Sequence, residues 1–434
     1  MFILCTFYQL RFIEYSNEWS SYTLGDILTF YSTNSFSREK LNYESGSVKN
    51  IHYGDIHTKF PSIVSIENNK EVPFINNDLD LSKFSEDQYL QEGDLIIADA
   101  SEDYEDIGKA IEVKDINNEK VLAGLHTILA RDEKDITVNG FKAYLFSTNN
   151  LKTKIKIIAN GISVLGISKN NLSKLNVEIP SKNEQQDIVS FISDIDKKIE
   201  LLERKHQLYI EFKNYLMQQI FTQKLRFDFK EEWENVTLNE VAFIPKKTKL
   251  NSVDGLKLLT VKLHAKGIEI NDKIKPKLTK RGRPYYIRQQ GELLIGRQNF
   301  HNGGMGIVPK SLDGGICSNA ISSFKVFEDK IDITYLYYFL SREEYYKKSE
   351  RLIGGTGQKE FSEKELLKLK IDLPSLEEQK KIIKLFLSID NKINGCENQL
   401  NKSQEFKKGL LQQMFVYRIK FLIFLRRFVA LNTF

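Results

Sequence analysis

Residues 214–221 read NYLMQQIF and residues 408–415 read KGLLQQMF. The echo belongs to a longer match. Set against 374–415 without a gap, residues 180–221 are identical at 17 of 42 positions. Pro180 meets Pro374, Glu184 and Gln185 meet Glu378 and Gln379, Ile195 and Asp196 meet Ile389 and Asp390, and Phe221 meets Phe415. Chance does not give an ungapped match of this length, so the chain is an internal duplication. A chain of 434 residues is also too long for one ordinary core.

Within the repeat the pattern is helical. Apolar residues fall at Ile188, Ile192, Ile195, Ile199 and Leu202, and again at Ile382, Phe386, Ile389, Ile393, Cys396 and Leu400. Steps alternating between four and three lay one narrow apolar seam along a helix, the coiled-coil pattern. A proline precedes each segment and none interrupts it. Each run lasts about 40 residues, or roughly 60 Å of helix. A lone seam of that length needs a partner, and the other copy is the nearest one. The two helices are therefore expected to pack on each other, antiparallel.

The duplication extends upstream. LSKLNVEIP (172–180) matches LLKLKIDLP (366–374), and its alternation marks a half-buried strand entering each helix. EWSSYTLGDI (18–27) matches EWENVTLNEV (232–241), LRF at 10–12 matches LRF at 225–227, and GDLIIA (93–98) matches GELLIG (291–296). Short apolar runs such as LIIA, AIEV and HTILA lie between Gly, Asn and Asp clusters and read as strands and turns. A helix is expected around Tyr335–Tyr345. The fold class is therefore α+β: two tandem mixed modules, each followed by a long helix, the helices pairing as an antiparallel coiled coil. The expected boundaries are 1–179, 180–224, 225–373 and 374–416, with an atypical tail at 417–434. Between the shared landmarks the modules diverge, as two readers of different things would.

Hydrophobic residues make up 41% and charged residues 28% of the chain, an ordinary globular composition. A net charge of +5 is too small to name a partner by itself. Cys5, Cys317 and Cys396 are far apart and form no CxxC pair, which suits a reducing cytoplasm and argues against disulfides and structural zinc. MFILCTFY lacks the basic flank and cleavage site of a signal peptide, and no stretch reads as a membrane span. There is no phosphate-binding GxxxxGK[ST]: GGTGQKE at 354–360 has the glycines but the wrong lysine spacing. The histidines His52, His57, His126, His206, His264 and His301 show no metal-ligand spacing, and His52 and His57 read as polar loop residues.

A proline followed by E-Q-x-x-I, then I-D-x-K-I, then L-x-Q-Q-[IM]-F closing a long helix, twice, resembles the specificity subunit of type I restriction-modification enzymes. The stretches are PSKNEQQDIVSFISDIDKKIE with YLMQQIF, and PSLEEQKKIIKLFLSIDNKIN with GLLQQMF, and the resemblance spans residues 10–416. It implies two target recognition domains, each reading one half of a split site in double-stranded DNA, with the helices as a ruler between the halves. It implies two methyltransferase (M) subunits, which carry S-adenosylmethionine and methylate adenine, and restriction (R) motor-nuclease subunits, where ATP and Mg would act. The chain itself would be no enzyme and hold no cofactor. Gln218, Gln219, Gln412 and Gln413, facing away from the seam, are the candidates for partner docking. Helices of roughly 60 Å cap the module separation at under two DNA turns of about 34 Å.

Candidate DNA contacts follow from residue chemistry. KIKPKLTKRGRPYYIR (273–288) holds Lys273, Lys275, Lys277, Lys280, Arg281, Arg283 and Arg288 and no acid, a set suited to phosphates, with Tyr285 and Tyr286 beside the sugar-phosphate edge. In RQNFHNGGMG (297–306), Arg297, Gln298, Asn299 and His301 have the donor and acceptor groups that read base edges, and the glycines allow close backbone approach. The matching loop of the first module is acidic. Asp99, Ser101, Glu102 and Asp103 suit cytosine amines or plain solvent, and Lys49, His52, Tyr53, His57 and Lys59 form a weak aromatic-basic patch. The tail VYRIKFLIFLRRFVALNTF belongs to neither repeat and is expected to pack or to have no role, rather than to meet a membrane. Two other classes stay open: a DNA-binding protein of this architecture without methyltransferase partners, and a coiled-coil scaffold whose modules bind protein.

Overall fold

The computed structural model describes residues 11–67, 69–248, 250–279, 282–349 and 360–415. The start MFILCTFYQ, Lys280, Arg281, all but the last residue of GGTGQKE and the 417–434 tail lie outside the described residues. Two compact units emerge, one from the described residues of Met1–Leu201 and Leu400–Phe434, the other from those of Leu202–Gln399. The expected boundaries ran along the sequence. The units instead divide both long helices, so each module keeps the near half of its own helix and the far half of the other.

Those helices run Lys182–Phe221 and Leu376–Met414, slightly inside the expected spans. They touch in each unit, and the second unit shows that they run antiparallel. In the first unit Lys407 reaches Asp196 at 2.5 Å, and the Tyr144 hydroxyl donates to Asp196 at 3.0 Å. In the second, Lys213 reaches Asp390 at 2.6 Å, and Tyr338 donates to Asp390 at 2.7 Å. Within the second unit the first helix's partners advance through 202, 213 and 221 while the second helix's retreat through 396, 390 and 386. Cys396 confirms the seam by donating its thiol to the Leu202 carbonyl.

Each helix ends in the other copy's module. Phe415 is buried against Trp19 and Phe141, and Phe221 is buried against Trp233, Tyr335 and Phe386. Burying such a ring contributes about 1.5–3 kcal/mol. The phrase written twice is thus a plug written twice.

The other shared landmarks have equally local reasons. In T-L-x-[DE/E], Thr23 with Asp26 and Thr237 with Glu240 form capping boxes on the short helices Leu24–Ile27 and Leu238–Val241. The strand before each cap pairs antiparallel with the strand entering the long helix, Ser20–Thr23 on Asn176–Ile179 and Glu234–Thr237 on Lys370–Leu373. The E-Q pair at the start of each long helix faces inward. Glu184 takes Arg11 of LRF at 2.6 and 2.7 Å and the Trp19 indole at 3.3 Å; Glu378 takes Arg226 at 3.0 and 2.9 Å and Trp233 at 3.1 Å. Gln185 accepts from Val138 N and donates to the carbonyls of Ile136 and Pro180, and Gln379 repeats this with Asp332, Lys330 and Pro374. These amides leave no buried donor or acceptor unmet, which is what makes their burial tolerable.

The first module is built on a five-stranded sheet in the order Thr29–Tyr31, Thr127–Arg131, Leu95–Ala98, Ala110–Lys114, Ile63–Ser65, the last pair parallel. Leu95 and Ile97 face one core while Ile96 and Ala98 face another. Successive side chains of a strand point to opposite faces, so burial on both sides reads as an unbroken apolar run. The second module has a four-stranded sheet, Ala242–Phe243, Ile321–Val326, Leu293–Gly296, Met305–Ile307, whose Leu293 and Leu294 likewise enter separate cores. The helix expected around Tyr335–Tyr345 is two, Ile333–Leu340 and Glu343–Ser349, broken where Ser341 and the stacked Arg342 guanidinium turn the chain. No helix of the described residues is long and apolar enough to cross a membrane.

Candidate nucleic-acid interface

In the second module the basic run forms the connection from strand Ile268–Ile270 to strand Tyr285–Ile287. Lys273, Lys275, Lys277 and Arg283 are exposed, and none is in an ion pair among the described residues. Cations that have no internal carboxylate remain available to phosphate oxygens. Tyr285 is half-buried on the adjoining strand. Tyr286 and Arg288 correct the expectation, because both are buried. Arg288 donates to the Ile321 carbonyl at 2.8 Å and lies over the Tyr286 ring at 5.7 Å, so its charge is spent inside the module.

The loop after strand Leu293–Gly296 is a tight turn through Phe300–Asn302 with Gly303 in the left-handed region at φ +69°. A side chain at Gly303 would crowd Ala265 N and His264 Cα, so the glycine is there to seat the turn on the neighbouring hairpin. Arg297 is drawn inward. Its Nε donates to the Phe361 carbonyl at 2.9 Å, Nη1 to the Asn319 carbonyl at 3.2 Å, and Nη2 pairs with Glu360 at 3.0 Å. In this conformation Arg297 is a brace for the loop, which corrects its assignment as a base reader. Gln298 lies 3.5 Å from the same Glu360. Asn299 is exposed and His301 half-buried, with Nε2 beside Asn302 at 3.0 Å. Asn299 is thus the freest of the four.

In the first module three expected contacts prove internal. Lys49 is buried, donates to the Ile66 carbonyl at 3.2 Å and pairs with Glu119. His52 is buried and caps the helix Tyr53–Thr58 by accepting from Gly54 N at 3.1 Å. Burial and the neighbouring Arg38 charge hold the His52 imidazole below its ordinary pKa. Ser101 is buried and hydrogen-bonds within its own turn, to the Asp103 carbonyl at 2.9 Å. Glu102 and Asp103 are exposed.

Three imidazoles surround the half-buried Tyr53: buried His52, half-buried His57 and exposed His126. The Tyr53 ring centroid lies 4.6 Å from His52, 5.9 Å from His57 and 5.3 Å from His126. His57 Nε2 donates to the Ala100 carbonyl at 3.1 Å, which leaves Nδ1 as a buried acceptor without a donor. Burial raises the Asp99 carboxyl above the usual range, and the His126 imidazole opposes that rise. Lys59 and Arg38 both pair with the fully buried Asp55, at 3.2 and 2.7 Å. Two cations on one carboxylate leave one net positive charge in that cluster.

Among the docking candidates, Gln218 is exposed with its amide donating to Glu344 at 3.1 Å, Gln413 is exposed, and Gln219 and Gln412 are half-buried. The described residues contain no cluster of His, Cys, Asp and Glu able to hold a metal.

Two modules on one frame with paired helices, the second carrying surface cations that have no ion pair among the described residues, define a duplicated recognition protein. A family profile, the type I restriction modification DNA specificity domain, matches residues 16–209 and 230–404, and the chain belongs to that family. Two curated relatives come from Methanocaldococcus jannaschii. The type I restriction enzyme MjaVIII specificity subunit is 26% identical over 298 residues, covering 64% of this chain and 70% of the relative. The putative type I restriction enzyme MjaX specificity subunit is 25% identical over 349 residues, covering 76% and 79%. Among solved structures, the type I restriction-modification S subunit from M. genitalium aligns with a TM-score of 0.57 at 14% identity, over 94% of this chain and 99% of that one. A chain from a structural study of complex assembly and conformational transition of the type I R-M system aligns with a TM-score of 0.52 at 15% identity, over 92% and 98%. At these identities the likeness is one of fold.

Proposed function

We propose that this specificity subunit binds a bipartite site in double-stranded DNA, one half per module, and directs two methyltransferase subunits to adenines within it. Through those subunits it recruits the restriction subunits. It catalyses nothing itself: S-adenosylmethionine, ATP and Mg act in the partners. The paired helices set the unread gap between the half-sites, and their outward faces, including Gln218 and Gln413, meet the methyltransferase.

The observation that carries this reading is the pairing of sameness with difference. The clamps of Glu184 and Glu378, the capping boxes and the helix-end plugs recur position for position. The loops that follow the matched strands Leu95–Ala98 and Leu293–Gly296 share nothing. A frame kept constant under divergent loops suits a pair of readers with different targets. The exposed Lys273, Lys275, Lys277 and Arg283 add the sequence-independent attraction that DNA requires.

The test is co-expression with the adenine methyltransferase subunit of the same system in a host lacking other methylases, followed by genome-wide mapping of methylated adenine. A split motif with a fixed gap, absent without this chain, is the expected result. A stable complex that methylates nothing new would refute bipartite reading, and no complex would favour a DNA-binding protein that works without such partners.

A further inference from the structure

A side chain that reads a base edge must be partly exposed, carry defined donors or acceptors, and be held by rigid neighbours. In the first module the pair Asp99 and His126 meets all three conditions, and the sequence does not bring its members together. Asp99 follows the strand Leu95–Ala98, and His126 lies 27 positions on, in the turn between the strands Val121–Ala123 and Thr127–Arg131. Their side chains are 31% and 52% exposed, with His126 Nδ1 3.5 Å from an Asp99 oxygen.

The backbone beneath them is fixed from several sides. Asp99 N donates to the His126 carbonyl at 3.1 Å, Tyr53 N to the Leu125 carbonyl at 3.3 Å, and Ile167 N to the Asp99 carbonyl at 2.9 Å. The Thr127 hydroxyl closes the turn onto the Gly124 carbonyl at 2.6 Å. His126 itself is held in the left-handed region at φ +54°. The Tyr53 ring backs its imidazole edge-on at 5.3 Å, and the Tyr53 hydroxyl has no partner among the described residues. Nothing in the core needs an aspartate and a histidine here, since neither is buried and neither caps a helix. The single net positive charge left by Arg38 and Lys59 on Asp55 offsets the Asp99 carboxylate toward a polyanion.

We infer that Asp99 and His126, backed by Tyr53, are the specificity-determining pair of the first module. Asp99 is an acceptor only, so it selects a base with an exocyclic amine in the major groove, cytosine N4 or adenine N6. His126 contacts the adjacent base, as donor to a purine N7. This inference rests on the DNA-reading function proposed above.

The test is selection of bound sequences from a random duplex pool by the purified full chain, comparing wild type with Asp99→Asn and His126→Gly. Glycine accepts the left-handed backbone that His126 occupies, so the second variant removes the side chain without straining the turn. Emission in a Trp233→Phe background, where Trp19 is the sole tryptophan, reports that the first unit stays folded. The expected result is a loss of about tenfold or more in base preference at one or two positions of one half-site, with the other half-site unchanged. Unchanged preferences in both variants would overturn the inference while leaving DNA reading intact. Loss of the whole half-site together with an unfolded Trp19 signal would overturn it in favour of a structural role. A wild-type chain that enriches no sequence would overturn the inference and the underlying function together.

Discussion

Replacing Arg11 by alanine isolates the clamp that ties the first module to its long helix. Glu184 is 1% exposed and accepts from Arg11 at 2.6 and 2.7 Å. Without Arg11 the buried carboxylate keeps only the longer bond from Trp19 at 3.3 Å. Removing one member of a buried ion pair costs about 3–5 kcal/mol, and the remaining indole bond puts this case near about 3 kcal/mol. Glu184→Gln keeps the shape and one acceptor, and the partly exposed Arg11 regains water, so that change costs about 1 kcal/mol. The order is therefore asymmetric: losing the cation is worse than neutralising the anion. The chain has two tryptophans, one in each clamp, so a Trp233→Phe background leaves Trp19 as the sole reporter of the first unit. In urea, with a slope of about 2 kcal/mol per molar, Arg11→Ala lowers the Trp19 midpoint by about 1.5 M. The double variant Arg11→Ala with Glu184→Gln should cost about 2 kcal/mol less than the sum of the singles. Additive costs, or a milder Arg11→Ala than Glu184→Gln, would refute the assignment of Glu184 as a buried, charge-dependent anchor.

Three further outcomes are expected. Leu202→Cys places a thiol opposite Cys396, whose Sγ lies 3.4 Å from the Leu202 carbonyl, so oxidation should form a disulfide that digestion and mass spectrometry detect; no cross-link would contradict the antiparallel seam. Converting Lys273, Lys275 and Lys277 to alanine should weaken DNA binding evenly across sequences and reduce the salt dependence by about three phosphate contacts, read from affinity against salt concentration. Inserting four residues, about one helical turn, into one long helix should lengthen the unread gap in the methylated motif, and an unchanged gap would rule out the ruler.

Much of the frame was legible because its signals are local. Seam spacing fixes a helix, alternation fixes a strand, and T-L-x-[DE/E] fixes a cap within four residues. The candidate site was less legible. Arg288 and Lys49 carry the charge of phosphate ligands, yet both are enclosed, one over Tyr286 and the other against Glu119. Arg297 has the donors of a guanine reader but gives them to Phe361, Asn319 and Glu360. A single histidine in a turn gives no sign that Asp99 will lie beside it.

By itself, then, the amino-acid order determined the duplication, the two long helices, the strands that feed them and the family to which the chain belongs. Those features depend on periodicity and on neighbours a few residues away. Tertiary structure alone decided which repeated polar residues face inward, as Glu184 and Gln185 do, and which cations keep their charge at the surface, as Lys273 and Lys277 do. The reason is that the cost of burying a charge depends on a partner distant in the chain. Glu184 finds Arg11 across 173 positions, and no local pattern records that meeting.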